Sequence, residues 1–281
     1  NAAGVSAQTI HEMAAPASFT IHPSRGQYFL LDKSEGDRVG HVIFQCPGPS
    51  GKGVLVAPTV HGNLIVGPNA DPVPADDVGT TSDGLSYVRN TALKSVPSVN
   101  FRESIRNFAG VRASTDRGDF IIELAAPGFL DLAGICSPGL TAAPAIAEYA
   151  AQLLERDGLV LEEKQTYCCQ RRRVRFHDLS PAEKARLVEQ APAYGRVICR
   201  CETITEGEML DALRSPIPPR SVDGVKRRVG AGMGRCQGGF CGPRVVEILA
   251  REQQVSPGTI VQDKAGSWLL ASQTKGGNDH V

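Results

Sequence analysis

Between His41 and Pro68 the apolar residues fall in three short runs, HVIFQC, GVLVAP and NLIVGP, separated by the glycine-bearing turns PGPSGKG and HGN. Runs of this length with turn residues between them predict consecutive strands joined by hairpins. From Thr81 to Val96 the spacing changes: Leu85, Val88 and Leu93 recur at roughly helical intervals and Pro97 follows, which predicts one helix across the sheet. SIRNFAGVRA and DFIIELA return to a strand pattern, so residues from about 20 to 125 read as a mixed sheet with one or two helices, α+β in class.

The stretch FLDLAGICSPGLTAAPAIAEYAAQLL predicts a strand, a tight turn at Ser137, Pro138 and Gly139, and a helix with Ile146, Tyr149, Ala150, Leu153 and Leu154 on one face. Residues 156–196 are richer in charge, contain QRRRVRFHD and one short helix opened by Ser180-Pro181, and read as a connecting segment. From Val197 short helices alternate with cysteine and glycine. Thr205 to Glu208 fits a capping box, with Ile204 and Met209 as a hydrophobic staple, so a helix should start just after Cys201. The expected domains are 1–155, a connector 156–196, a small helical domain 197–260 and a tail 261–281, frayed at GGNDHV.

A chain of 281 residues, 41% hydrophobic and 21% charged, can bury one large core and one small one. Lys+Arg and Asp+Glu both number 30, so no global field recruits nucleic acid or an anionic membrane. No stretch approaches the roughly 20 apolar residues of a membrane helix, and the N-terminus lacks the order of a signal peptide, so a cytoplasmic chain is expected. The opening NAAG reads as the middle of a fold, which suggests part of a longer protein.

Eight cysteines in a reducing compartment point away from a disulfide framework and toward metal binding. Cys199 and Cys201 are separated by one residue, Cys236 and Cys241 by four, and 34 residues lie between the pairs. Each pair can put two thiolates on one metal centre from a single turn, and the glycines of GMGRCQGGFCG let backbone N–H groups approach inorganic sulfide. Pro243 suits the first turn of a following helix, which puts Cys241 at a helix N-terminus, where a thiolate is favoured. Structural zinc and free thiols are the alternatives, but neither pair has the C-x2-C spacing of a zinc knuckle. GAGMG, from Gly230 to Gly234, is not a dinucleotide loop: the third glycine is misplaced and no apolar strand precedes it. Cys46, Cys136, Cys168 and Cys169 have no partner at metal-like spacing, and Arg171 to Arg173 with Arg175 read as a solvated face.

VICRCETIT followed by GRCQGGFC resembles the BFD-like [2Fe-2S] domain, named for bacterioferritin-associated ferredoxin. NAAG, RGQYFLLDK, APTVHGNLIVGPNA, FAGVRA and GICSPGLTAAPAIAEY resemble the C-terminal half of the DAO family of FAD-dependent oxidoreductases, as joined to such a domain in anaerobic glycerol-3-phosphate dehydrogenase large subunits. The resemblance implies the remainder of an FAD-binding α/β domain beside a substrate sheet, with FAD and a [2Fe-2S] cluster held by Cys199, Cys201, Cys236 and Cys241.

It further implies that Asn1, Ala2, Ala3 and Gly4 lie by the adenosine and pyrophosphate end of FAD. Gly134, Ile135, Ser137, Gly139, Leu140 and Thr141 would approach the flavin ring and ribityl chain, where N–H groups at a helix start suit the electron-rich edge of a reduced flavin. Arg112 matches an arginine directed at the substrate's anionic group, its alternative being a surface salt bridge. His61 is a candidate proton acceptor or a turn histidine. Arg25 and Tyr28 are candidate substrate contacts or packing residues. The family's N-terminal G-x-G-x-x-G loop is missing from these residues. The implied activity is oxidation of a small anionic hydroxy or amino compound, such as glycerol 3-phosphate or a 2-hydroxy acid, with electrons leaving singly to an acceptor protein or quinone-linked subunit. Any membrane attachment would then be peripheral, through that partner. The rival expectation is an electron-relay or zinc-binding subunit whose catalytic partner is another chain.

Overall fold

The computed structural model describes residues 1–46, 53–167 and 173–272. Most of PGPSGKG, together with Cys168, Cys169, Arg171, Arg172 and GGNDHV, lies outside the described residues. The chain divides into two units, Asn1–Tyr167 and Cys168–Val281.

In the first unit a short helix α1 (Ala7–His11) precedes strand β1 (Ile21–Leu31), β2 (Leu55–Pro58), β3 (Leu64–Gly67) and β4 (Asp71–Pro72). Helix α2 (Ser82–Ser95), strand β5 (Ser104–Thr115), the hairpin β6 (Ile121–Ala126) and β7 (Phe129–Ala133), and helix α3 (Gly139–Arg156) follow. β1 is the centre of a five-stranded sheet: β3 and β4 pair along one edge, β5 along the other, and β2 extends from β3. The α+β class holds, while the expected mixed sheet is corrected, since these pairings are all antiparallel. HVIFQC is not a strand and contributes only the isolated bridge between Ile43 and Val56.

α2 begins where Thr81 accepts a hydrogen bond from the Gly84 N–H. It packs Val88 and Ala92 onto Leu31, Val56, Leu64 and Val66, all fully buried. Because side chains alternate along a strand, Arg25, Gln27, Phe29 and Leu31 face α2, while Ser24, Gly26, Tyr28 and Leu30 face the opposite side. On α3, Ile146 and Ala150 are buried as expected, but Tyr149 is 44% exposed and leaves the predicted apolar face.

A buried polar pair ties α1 to β7. His11 Nδ1 lies 2.6 Å from Asp131 Oδ2, and His11 Nε2 lies 2.9 Å from the Pro16 carbonyl. Both ring nitrogens have polar partners, Nε2 also lying 3.2 Å from Ser18 Oγ, and the Asp131 carboxylate favours a positive charge on the ring. Burial opposes that charge, yet the hydrogen bonds to Asp131 and Pro16 outweigh it and raise the His11 pKa above its ordinary 6.5. A raised folded-state pKa gives stability that is fully present below the unfolded value and is lost as pH rises through the folded one. The melting temperature of the first unit should therefore decline as pH is raised above about 6.5, and thermal melts of His11→Gln should lack that slope.

The second unit begins earlier than expected: the predicted connector is corrected, because much of it is structured. Helix α4 (Pro181–Gln190) has a complete capping box between Ser180 and Glu183. Tyr194, 5% exposed, donates a hydrogen bond to Asp211 and packs against Gly207 of the next helix. Strands β8 (Val197–Cys199) and β9 (Ile204–Thr205) pair, and helices α5 (Glu206–Leu213), α6 (Val222–Val229) and α7 (Gly242–Gln253) follow. The Thr205–Glu208 capping box is present. Met209, Val225 and Leu249, each fully buried, centre a core that also takes in Cys199 and Cys241. The expected tail is also corrected at its start, where Val261 and Gln262 accept hydrogen bonds from the Val222 and Asp223 N–H groups. Among the described residues no helix is long and apolar enough to cross a membrane.

Candidate functional site

In the second unit the four cysteines predicted as ligands come together as two couples, each taking one cysteine from either sequence pair, which corrects the expectation of one sequence pair per metal centre. Cys201 and Cys236 are exposed with sulfurs 3.6 Å apart, and Cys199 and Cys241 are buried and hydrogen-bonded to each other. Folding against α5 and α7 brings about the pairing, with Cys241 as the N-cap of α7. The hydrogen bond from Cys241, aided by the N–H groups of Gly232 and Glu202, pulls the Cys199 thiol down to about 6, while the same bond and burial push Cys241 up. The Phe240 and Gly238 N–H groups, together with the Cys201 thiol that donates to it, lower Cys236. Thr203 and Gln237, beside the two couples, have φ of 52° and 47°, left-handed values that a non-glycine residue holds only where its surroundings enforce them. A Cβ on Gly234 would lie 2.2 Å from Cys201 Cβ, so only glycine lets these loops meet.

This donor set fits a two-iron cluster, which takes two thiolates per iron.

In the first unit the predicted residues separate. Arg112 pairs with Ser24 across β1 and β5, Gly110 with Gly26, and Phe108 with Tyr28, so Arg112 and Tyr28 share the sheet face away from α2. Tyr28 stacks on Phe108 at 5.1 Å. The Arg112 guanidinium lies over Gly26, where a Cβ would come within 2.4 Å of Nη2, and Nη2 donates to the Asn69 carbonyl at 3.3 Å. Among the described residues no carboxylate pairs with it.

Arg25 is on the other face, 6% exposed, donating to Asp77 at 2.7 Å with Asp71 at 4.0 Å. Its expected substrate role is corrected to a structural one, and the parity of positions 25 and 28 in one strand already carried that distinction. His61 is placed apart from Arg112. It sits exposed in the turn between β2 and β3, beyond Leu64, which pairs with Leu31. Arg112 pairs with Ser24, seven residues back along β1, and at about 3.3 Å per residue one small substrate cannot touch both. Asn69, which the motifs did not single out, holds the Arg112 end of the site: it accepts from the Gln27 N–H and donates to Asp71.

The strand-turn-helix segment has Gly134 at φ +65°, against Thr115 of β5, and Gly139 against Ile135. Ile135, Cys136, Ser137, Pro138, Gly139, Leu140 and Thr141 line an open concavity of about 650 Å³. Among the described residues no side chain caps the start of α3, whose Gly139 and Thr141 N–H groups donate to the Cys136 and Pro138 carbonyls. Asn1 lies against β7: its amino group donates to the Leu130 carbonyl, its carbonyl accepts from Leu132, and Nδ2 donates to Asp131. Among the described residues Asn1 Oδ1 is buried with no partner, an acceptor that fits a cofactor hydroxyl or amino group.

Residues 1–153 match the model of the family described as DAO, FAD dependent oxidoreductase. The chain belongs to this family. Residues 197–251 match the BFD-like [2Fe-2S] binding domain. Among curated proteins the chain is 50% identical over 279 residues to "Glycerol 3-phosphate dehydrogenase" of Caloramator mitchellensis, covering 98% of this chain and 58% of that one. It is 38% identical over 161 residues to "Glycerol 3-phosphate oxidase" of Mycoplasma genitalium, covering 55% and 41%. A solved structure of L-alpha-glycerophosphate oxidase from Mycoplasma pneumoniae, dithionite reduced with FAD bound, matches with TM-score 0.51 and 34% identity over 58% of this chain and 43% of that one. The chain thus spans little more than half the length of the first of these relatives and less than half of the other two.

Substitution at the floor of the Arg112 site should separate binding from turnover. In Gly26→Ala the new methyl would displace the flexible guanidinium and press on Pro68, whose Cβ would be 2.9 Å away. In steady-state kinetics of the whole protein, KM for an anionic substrate should rise roughly tenfold with kcat little changed, the pattern for lost uniform binding.

Proposed function

We propose that the protein containing this chain is an FAD-dependent dehydrogenase of a small anionic hydroxy compound, glycerol 3-phosphate foremost, and that the second unit relays its electrons singly through a [2Fe-2S] cluster. The observation that carries this reading is the 50% identity to a glycerol 3-phosphate dehydrogenase, which continues across both units. Arg112 supplies the charge complement: a guanidinium on the open sheet face, without a carboxylate partner among the described residues, can bind a phosphate or carboxylate with two parallel N–H bonds. The stacked Tyr28 and Phe108 rings form an apolar wall beside it that orients the carbon chain and limits water.

FAD, when bound, supplies a ring that accepts two electrons together. Asn1 Oδ1 and the open start of α3 are the groups of this chain that would hold it, the first as an acceptor and the second as the positive end of a helix. Cys199, Cys201, Cys236 and Cys241 would hold the cluster, and the lowered Cys199 and Cys236 thiols favour the thiolate form that a metal requires.

The test is anaerobic. Iron, sulfide and zinc are measured on this chain, and the whole protein with FAD is mixed with glycerol 3-phosphate while flavin absorbance is followed. Equal iron and sulfide with flavin bleaching is the expected result. A single zinc overturns the relay, and a flavin that glycerol 3-phosphate leaves oxidised overturns the substrate.

A further inference from the structure

The couples of thiols differ in exposure: Cys199 and Cys241 are buried at 1% and 2%, whereas Cys201 and Cys236 reach the surface. Electron transfer falls steeply with distance, so the Cys201–Cys236 edge is where an outside carrier comes nearest to a cluster held by all four. The surface there is distinctive. Phe240 is 60% exposed, with the Arg200 guanidinium 4.6 Å over its ring, and Met233 is 39% exposed. Lys226 Nζ donates to Gln237, the residue after Cys236, at 3.3 Å.

Residues 199–203 and 226–241 carry five cations, Arg200, Lys226, Arg227, Arg228 and Arg235, and a single carboxylate, Glu202, although the whole chain has formal charge zero. Arg227 is engaged by Asp263, and Lys226 and Arg235 also have partners, but cations outnumber carboxylates in these two stretches. An exposed aromatic with a cation over it, in stretches that carry further cations, has the makeup of an interface centre with an electrostatic rim.

Resting on the relay reading above, we infer that the Arg200–Phe240 surface at the Cys201–Cys236 edge is the docking face for a one-electron carrier protein with an acidic patch. Opposite charge steers the carrier onto the edge, and Phe240 provides the apolar contact. One electron then passes from the reduced cluster to the carrier's oxidised centre, with no proton or atom exchanged.

The test uses the cluster-loaded chain and two copper or haem carriers of opposite charge, acidic plastocyanin and basic cytochrome c. The dithionite-reduced chain is mixed with each oxidised carrier in a stopped-flow instrument over a salt series, and binding is measured separately with both proteins oxidised. Plastocyanin should bind and be reduced faster at low salt, with both effects fading as salt rises. Arg200→Glu with Lys226→Glu should slow it roughly tenfold at low salt, and Phe240→Ala should weaken binding at every salt concentration. Cytochrome c should show the opposite response to the charge reversals.

If both carriers respond alike, and the charge reversals instead shift the cluster's potential, the cations serve the cluster and the docking face is overturned. Indifference of both carriers to salt overturns it as well, as for a face covered by another part of the protein. Iron and sulfide content distinguishes these failures from failure of the relay: a chain without a cluster sinks the relay itself.

Discussion

Cys241→Ala is expected to abolish the visible absorbance of the anaerobically purified chain and to lower iron and sulfide together by about tenfold or more, since one iron would lose half of its protein thiolates. Cys241 is 2% exposed, belongs to the core of the second unit and caps α7, so the site and the local fold share atoms. Structural zinc sites show about 10–16 kcal/mol of apparent binding energy that is also folding energy. A four-thiolate cluster built into a small core should be coupled to folding in the same sense, so the variant's second unit should melt earlier. Cys136→Ala, in the other unit, should leave iron and sulfide unchanged. Iron retained by Cys241→Ala would remove this cysteine from the ligand set.

Arg112→Ala in the whole protein should lower kcat/KM for an anionic substrate by roughly 10²–10³, because truncating one partner of a hydrogen-bonded charge pair costs about 2–5 kcal/mol. Arg112→Lys should recover only part of this, as lysine keeps the charge but loses the planar fork. Arg25→Ala is the informative contrast. Arg25 is buried on the helix-covered face against Asp77, so its loss should appear in a thermal melt, at about 3 kcal/mol or less since Asp77 is itself 42% exposed, and not as a selective rise in KM. Equal kinetic defects in both variants would contradict the division of faces.

Much of the local architecture was legible from residue spacing. The helix from Thr81, the strands carrying FAGVRA and FIIELA, the turn at Ser137 to Gly139 and the Thr205–Glu208 capping box are short-range patterns, each dictated by alternation, helical periodicity or one side chain reaching a neighbouring N–H. HVIFQC shows where that reasoning stops. Its apolar run is as strand-like as its neighbours, but it gains only one bridge to Val56, and pairing depends on a partner strand that spacing does not specify. The connector differed in another way: its charge suggested a linker around the helix that Ser180-Pro181 opens, and that helix is present, but buried Tyr194 ties the end of the segment to Asp211 and Gly207.

For the sites, sequence alone determined the donor chemistry: four cysteines in two close sequence pairs, an arginine in a strand, and glycines where backbones must approach closely. Tertiary structure decided what shares a space. Strand register put Arg112 with Tyr28 over Gly26 and separated both from His61, and it turned Arg25 toward Asp77. Packing joined His11 to Asp131 across 120 residues and left Cys201 and Cys236 at the surface while burying Cys199 and Cys241. The physical reason is range: a side chain's intrinsic chemistry and its neighbours within one turn are written locally, whereas register and burial arise from contacts between segments far apart in the chain.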